Sequence, residues 1–166
     1  MEELENLDEL IEDLAFDHPC DDHLDLLYTT FKNHFASETL TVDGVQLKIN
    51  KSPYPQDPFR GKMETFVHII TRKNELTGKR KYIQERANRI HWVRPILTYS
   101  NLVAIKVFRR QHANSQWQQF FWYEEKDFVV VVREIKPHFL LITAYCVDKE
   151  NKNQFKRWYQ EYKKRA

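Results

Sequence analysis

The amino-acid sequence predicts an α+β protein in which helices pack on a mainly antiparallel sheet of four to five strands. Three observations predict this class. The 166 residues, 42% of them apolar, suffice for one compact domain with its own core. Segments rich in β-branched and aromatic residues follow one another in the second half of the chain, without a helix between each pair. Only 3 glycines and 6 prolines occur, which excludes collagen-like and low-complexity architectures.

The N-terminal segment predicts an acidic pair of helices. Apolar residues recur at helical spacing between acids over residues 2–15, which is typical of an amphipathic helix, and Pro19 ends it. Asp21 or Asp22 can cap a second helix that runs to Ser37. The stripes expected to face the core are Leu4, Leu7, Ile11 and Leu14 in the first helix, and Leu24, Leu27, Phe31 and Phe35 in the second.

The middle of the chain predicts a hairpin, a strand and a helix. Asp43-Gly44 separates two short alternating runs between Thr39 and Ile49, as in a compact β-hairpin. Residues 62–71 are β-rich and apolar on both faces, which is typical of a central strand. Residues 79–93 predict a basic helix, with Ile83, Ala87 and Ile90 towards the core, that Pro95 stops.

The last third predicts three β segments and a closing helix. The segments are 102–109, 118–133 (a hairpin that turns near 124–127) and 138–147, and the helix carries Phe155 and Trp158. Alternation assigns the faces of the strands. In the last strand, Leu140, Ile142, Ala144 and Cys146 are expected under the helices, and Phe139, Leu141, Thr143, Tyr145 and Val147 on the other face. In the first, Val103, Ile105 and Val107 form the apolar face, opposite Lys106, Phe108 and Arg110.

The net charge of +2 conceals a strong asymmetry along the chain. The first 25 residues contain eleven acids and no lysine or arginine, which leaves 13 acids and all 26 bases for the remainder. We therefore predict an acidic helical segment (1–37) and a basic domain (38–166), whose charge indicates a polyanionic partner such as nucleic acid. The acidic helices either mimic phosphate near the basic face and limit activity, or form a plain helical cap.

One predicted sheet face combines groups that suit acid–base chemistry on a phosphodiester. His68, Lys106, Thr143 and Tyr145 would supply a base that titrates near neutral pH, a cation and two hydroxyl donors. Five arginines are candidates for phosphate contact: Arg72, Arg86, Arg89, Arg94 and Arg110. Each of these residues also has a simpler interpretation. His68 fits a hydrogen-bonded core histidine, and Thr143 and Tyr145 are ordinary strand formers. Lys106 suits a sheet edge, and the arginines suit a solvated basic face.

Four runs of sequence follow one another over residues 60–163: GKMETFVHIITRKN, GKRKYIQERANRIHWVRPIL, FFWYEEKDFVVVVREI and FLLITAYCV. Together, and in this order, they resemble the BECR nuclease superfamily. That superfamily comprises barnase-like, EndoU, colicin-type tRNase and RelE-type folds, and the likeness is to its phage-associated branch. The resemblance implies a toxin-like endoribonuclease that needs no metal or other cofactor. The ribose 2′-hydroxyl would attack the adjacent phosphorus and leave a 2′,3′-cyclic phosphate or a 3′-phosphate. RNA, either tRNA or mRNA, would be the substrate, and an antitoxin or immunity protein is a further partner left open.

The resemblance also implies roles for individual residues. His68 would be the general acid or base, while Arg86 and Lys106 would stabilise the phosphorane oxygens. Thr143 and Tyr145 would orient the phosphate. Glu64, four residues before His68 and on the same face of the predicted strand, is the candidate for a second acid–base group.

Other functions are left open by the sequence. The same fold could carry a non-catalytic RNA-binding module, or a protein-interaction domain that binds through the aromatic hairpin residues 120–123. His18, Cys20 and His23 lie close together but lack the paired spacing of a zinc finger. Cys146 is expected on the core face, which argues against a cysteine nucleophile. The two cysteines, the acidic N-terminus and the mean hydropathy of -0.69 predict a soluble cytoplasmic protein without membrane contact.

Overall fold

The computed structural model describes residues 2–35 and 40–165. Within them the helices are α1 (Glu2–Glu5), α2 (Asp21–Phe35), α3 (Glu64–Ile70), α4 (Gln84–Ala87), α5 (Val93–Thr98) and α6 (Lys149–Arg165). The strands are β1 (Leu40–Val42), β2 (Val45–Lys48), β3 (Thr71–Lys73), β4 (Arg80–Tyr82), β5 (Ile105–Gln111), β6 (Trp117–Tyr123), β7 (Phe128–Ile135) and β8 (His138–Cys146). None of the helices described is long and apolar enough to cross a membrane.

The fold is α+β, and its main sheet is mixed. Six of the described strands form this sheet in the order β1-β2-β8-β7-β6-β5, while β3 and β4 form a separate two-stranded hairpin. Neighbouring strands are antiparallel except β2 and β8, which pair in parallel. The prediction of a four- to five-stranded, mainly antiparallel sheet is therefore wrong in strand number. The number differs because the β1–β2 hairpin joins the sheet along the edge of β8, which was not predicted.

Two hydrophobic cores lie on opposite faces of this sheet. Successive residues of β6 alternate between them, because Phe121 and Tyr123 belong to one cluster and Phe120 and Trp122 to the other. The larger core lies under α2, α3 and α5, and the smaller core lies under α6. All four of these hairpin side chains are buried, so the alternative of a protein-docking surface at residues 120–123 is wrong.

The N-terminal segment is buried but mostly irregular. The four apolar residues predicted for its core stripe are all buried in the larger core, yet only Glu2–Glu5 is helical, so the predicted helix over 2–15 is wrong. The reason is that its backbone bonds the body of the protein instead of itself. The carbonyls of Leu4 and Leu7 accept from Tyr123 and Lys126, and Trp92 Nε1 donates to the carbonyl of Asp8 at 2.8 Å. We call residues 2–15 the N-terminal strap.

The second helix and the first hairpin confirm their predictions. Helix α2 buries Leu24, Leu27, Phe31 and Phe35. The stretch predicted to extend it to Ser37 lies outside the described residues. Between β1 and β2, Asp43 (φ 52°) and Gly44 (φ 79°) both adopt left-handed conformations, as a two-residue hairpin turn requires.

The two predictions for the middle of the chain are wrong. Residues 64–70, predicted as part of a central strand, form helix α3 with five of its seven residues buried. A short run that is apolar on all sides fits a buried helix as well as a buried strand, so periodicity could not separate them. Residues 79–93, predicted as one helix, form β4, α4 and a 3₁₀ turn at Ile90–Trp92. Pro95 lies in the first turn of α5, where its missing N–H is not needed.

The predictions for the last three β segments, which form the four strands β5 to β8, and for the closing helix are confirmed, with two corrections. Val103 precedes β5 and is 99% exposed, so it does not belong to the apolar face. In β8 an irregularity changes the alternation, since Val131 pairs with Thr143 but Val132 pairs with Leu141, which leaves Ile142 as an extra residue. The larger core therefore receives Phe139, Leu141, Ala144 and Cys146, and the smaller core Tyr145 and Val147.

Stability should fall at mildly acidic pH because three half-buried histidines resist protonation. Burial lowers the pKa of His34, His68 and His91, while in the unfolded chain each titrates at about 6.5. Protons then bind the unfolded state more readily, so the free energy of unfolding is highest above pH 6.5 and decreases as the pH falls from there through the folded-state pKa values. Urea unfolding at about pH 7.5 and about pH 5.5, one unit above and one unit below the histidine pKa of the unfolded chain, measures this decrease. An unchanged midpoint, or the same decrease in His34→Gln, would contradict the prediction.

Candidate active site

The candidate site begins where β8 has a free edge. Strand β2 pairs with β8 only opposite Phe139 and Leu140, so residues 142–146 have no partner on that side among the described strands. Helices α3 and α4 pack against β8 there. Thr143 lies at this contact, and its hydroxyl donates to the backbone carbonyl of His68 at 3.2 Å. The bond fixes the C-terminal half of α3 against the sheet.

Helix α3 presents a histidine and a carboxylate one turn apart. Glu64 and His68 are four residues apart and therefore lie on the same side of the helix. Both are half-buried. The Glu64 carboxylate accepts a hydrogen bond from Asn50 Nδ2 at 2.9 Å. Burial and the charges of Arg80 and Lys73 lower the pKa of His68, against the opposing effect of Glu64. The imidazole is consequently neutral at neutral pH and able to accept a proton.

Thr71, the residue after α3, positions two arginines. Its side chain is buried, and its hydroxyl donates to the Val67 carbonyl at 2.5 Å while it accepts from Arg80 Nε at 2.8 Å. Its backbone carbonyl accepts from Arg86 Nη1 at 2.9 Å. Burial lowers the pKa of both guanidiniums, and the like charge of Arg72 adds to this for Arg86. Two cations are thus held beside the end of α3 by one threonine.

Tyr145 approaches Arg86 from β8, and its ring packs on the α6 side of the sheet beside Phe155. The Arg86 guanidinium carbon lies 5.3 Å from the centre of the Tyr145 ring, within cation–π range. Burial raises the pKa of the Tyr145 phenol, against the effect of Arg86, so the hydroxyl keeps its proton at neutral pH. It is a hydrogen-bond donor beside fixed cations.

A pocket of about 280 Å³ opens next to Arg86. Arg72 and Arg86 line it together with Glu85, Cys146 and Asp148. Burial raises the pKa of the Cys146 thiol, which keeps the sulfur protonated and poorly nucleophilic. The pocket therefore combines two arginines with two carboxylates and contains no reactive thiolate.

The structure brings some predicted site residues together and separates others. His68, Thr143, Tyr145, Arg86 and Arg72 lie around the end of α3 and the free edge of β8, as described above. We call these five residues with Glu64 and Arg80 the His68 cluster.

Lys106 does not join the His68 cluster. Its neighbour Phe108 belongs to the smaller core, and its Nζ lies 5.2 Å from the Tyr159 ring of α6, on the face opposite α3. It forms an ion pair with Glu124. Lys106 does share this face with Tyr145, as predicted, because the register places Lys106, Trp122, Val129 and Tyr145 in one row across the sheet. The two lie three strands apart, however, and the prediction that His68 shares the face is wrong because His68 lies on helix α3.

Three of the predicted phosphate-binding arginines also have other surroundings. Arg89 donates to the Glu85 carbonyl at 2.9 Å and lies 3.5 Å from Glu9 of the N-terminal strap. Arg94 donates to the backbone carbonyl of His34, next to α2. Arg110 lies over Trp158 of α6.

Arg80 is a site residue that the sequence did not single out, because residue 80 falls in the helix predicted over residues 79–93. A signal for its position exists, because Gly78 (φ 71°) can turn the chain between two short basic runs. A hairpin at that point pairs Lys73 with Arg80 and returns the arginine to Thr71.

Comparisons with known proteins return no match. No protein-family model, no curated protein and no solved structure is similar to the chain. Within residues 2–35 and 40–165, no group of three or more histidine, cysteine or acidic side chains is arranged to hold a metal ion, and this includes the segment with His18, Cys20 and His23.

Proposed function

We propose that the chain is an endoribonuclease of the BECR type that cleaves RNA at the His68 cluster without a metal ion. The observation that carries the proposal is the environment of His68. A neutral imidazole lies one helical turn from a carboxylate and near the charges of Lys73 and of Arg80, whose guanidinium Thr71 holds in place. A proton acceptor next to fixed cations is what transesterification of a phosphodiester needs.

The proposed reaction uses the groups in a defined order. His68 takes the proton of the ribose 2′-hydroxyl, and the 2′-oxygen forms a bond to phosphorus. The bond from phosphorus to the 5′-oxygen breaks, and Tyr145 protonates that oxygen. Arg80 and Arg86 stabilise the charge on the non-bridging phosphate oxygens. The products are a 2′,3′-cyclic phosphate and a free 5′-hydroxyl, and no oxidant or cofactor is consumed.

The test is cleavage of total tRNA and of a long mRNA by the purified protein in excess EDTA. We expect 2′,3′-cyclic phosphate and 5′-hydroxyl ends, which separate this mechanism from hydrolysis that leaves 5′-phosphates. The matched pair of variants is His68→Gln and His18→Gln, because His18 is exposed and outside the cluster. Ends that persist in His68→Gln would refute the assignment of the site. Binding of RNA without cleavage would favour the non-catalytic RNA-binding alternative.

A further inference from the structure

A second cationic feature lies at the C-terminal end of β5, next to the C-terminal half of α6. Arg109, Arg110, Trp117, Trp158, Tyr162 and Arg165 line a cleft of about 380 Å³, which we call the Arg–Trp cleft. It is separate from the His68 cluster, because β5 is the edge strand of the sheet and lies three strands from β8. Three strand spacings amount to about 14 Å.

Two stacked pairs form the walls of the Arg–Trp cleft. The Arg109 guanidinium carbon lies 3.9 Å from the centre of a Trp117 ring, and Arg110 lies at the same distance from Trp158. Glu134 holds Arg109 through two hydrogen bonds of 2.5 and 2.8 Å, so this pair is rigid and its charge is balanced. Both tryptophans are half-buried, which leaves part of each indole exposed to a ligand.

Arg110 differs from Arg109 in its charge balance. Its nearest carboxylate, Glu161, lies at 4.0 Å, and the charges of Arg157 and Arg165 also act on it. Among the described residues that line the cleft, three arginines face the single acid Glu161. The last turn of α6 adds the exposed Lys163 and Lys164. The cleft therefore carries an excess of positive charge next to flat aromatic surfaces.

We propose that the Arg–Trp cleft binds a single-stranded stretch of RNA, with bases stacked on the Arg109–Trp117 and Arg110–Trp158 layers and phosphates on Arg110 and Arg165. Stacking on aromatic or guanidinium planes, combined with cations along the backbone, is how proteins hold unpaired nucleotides. An acidic peptide would use the charge but not the exposed indoles. The inference deepens the proposed function, since it assigns a binding surface for RNA outside the cleavage site.

The test uses a 2′-O-methyl oligoadenylate, which lacks the attacking hydroxyl and so binds without being cleaved. Trp117→Leu is expected to weaken binding, measured by fluorescence anisotropy, by about 5- to 150-fold through the loss of one stacked base. Arg110→Gln is expected to reduce the slope of log affinity against log salt by about 0.7, the value for one phosphate on a single strand. Lys48→Gln is the matched control, because Lys48 is an exposed cation on β2, at the other side of the sheet.

The inference would be overturned if Trp117→Leu had the same affinity for the oligonucleotide as Lys48→Gln, and Arg110→Gln the same salt slope. Full competition by polyglutamate together with an unaffected Trp117→Leu variant would also overturn it, since an acidic protein would then be the partner. Cleavage of RNA by the wild type in excess EDTA tests the proposed function separately. A wild type that cleaves RNA, with Trp117→Leu and Arg110→Gln variants that bind like Lys48→Gln, would overturn this inference alone.

Discussion

Replacement of His68 by glutamine is expected to lower the rate of RNA cleavage by about 100- to 10,000-fold, the usual contribution of a positioned general base. Glutamine fits a helix and keeps a polar side chain, but it cannot accept the proton of the 2′-hydroxyl. The fold should be unaffected, because the Thr143 hydroxyl bonds the backbone carbonyl of residue 68 and not its imidazole. Initial rates on a defined oligoribonucleotide measure the effect, with circular dichroism as the control for folding.

The pH dependence of cleavage distinguishes a base at His68 from a structural role. Since burial and nearby cations lower the pKa of His68, the acidic limb of kcat/KM should have its midpoint below 6.5. Glu64→Gln removes a charge that raises this pKa and should move the limb to lower pH. Arg80→Gln removes a charge that lowers it and should move the limb to higher pH. Shifts in the same direction, or none, would contradict the assignment of His68 as the base.

The sequence could predict the strands best where they alternate and turn in a regular way. The β6–β7 hairpin turns at residues 124–126, and Asp127 (φ 48°) takes the left-handed conformation that such a turn needs. Strand β8 was placed correctly, and so were the faces of residues 144–147. Phe139 and Leu141 were assigned to the wrong face, because the extra residue Ile142 places them on the same face as Ala144. A bulge leaves no mark in the alternation of a strand whose residues are apolar on both faces.

The candidate site could be predicted only in part for a related reason. The sequence identified His68, Arg86, Thr143 and Tyr145, whose residue types suit phosphate chemistry. It placed His68 on a strand and therefore assigned Lys106 to the same face. The real arrangement depends on α3 and α4 reaching the free edge of β8, a tertiary contact that no local pattern encodes.

The acidic residues of the N-terminal strap and its buried leucines support different interpretations of this segment. Its acids suggested a separate segment that mimics phosphate, and Glu9 does lie near Arg89. Its leucines, however, belong to the same core cluster as α3 and the sheet. Removing the strap would therefore expose apolar surface of the core, and the resulting loss of folding would obscure any change in RNA affinity.

Asn88→Ala is expected to lower the free energy of unfolding by about 2–4 kcal/mol, which is large for a polar residue. Asn88 is fully buried. Its Oδ1 accepts from the Ile11 backbone N–H at 2.7 Å, and its Nδ2 donates to the Ile11 carbonyl at 2.9 Å. Both backbone groups would remain buried without these partners after the substitution. Urea unfolding measures the change, and Asn153→Ala on the exposed side of α6 serves as the control, with an effect within about 0.5 kcal/mol.

Hydrogen exchange can show that this loss arises at the strap. In Asn88→Ala the amide of Ile11 loses its only side-chain acceptor among the described residues, so exchange should accelerate there more than in β7, at the centre of the sheet. Asn88→Asp keeps an acceptor for Ile11 N–H but not the donor to its carbonyl, so Ile11 should stay more protected than in the alanine variant. Uniform acceleration across the sheet and the strap would mean that Asn88 stabilises the whole fold and does not specifically anchor the strap.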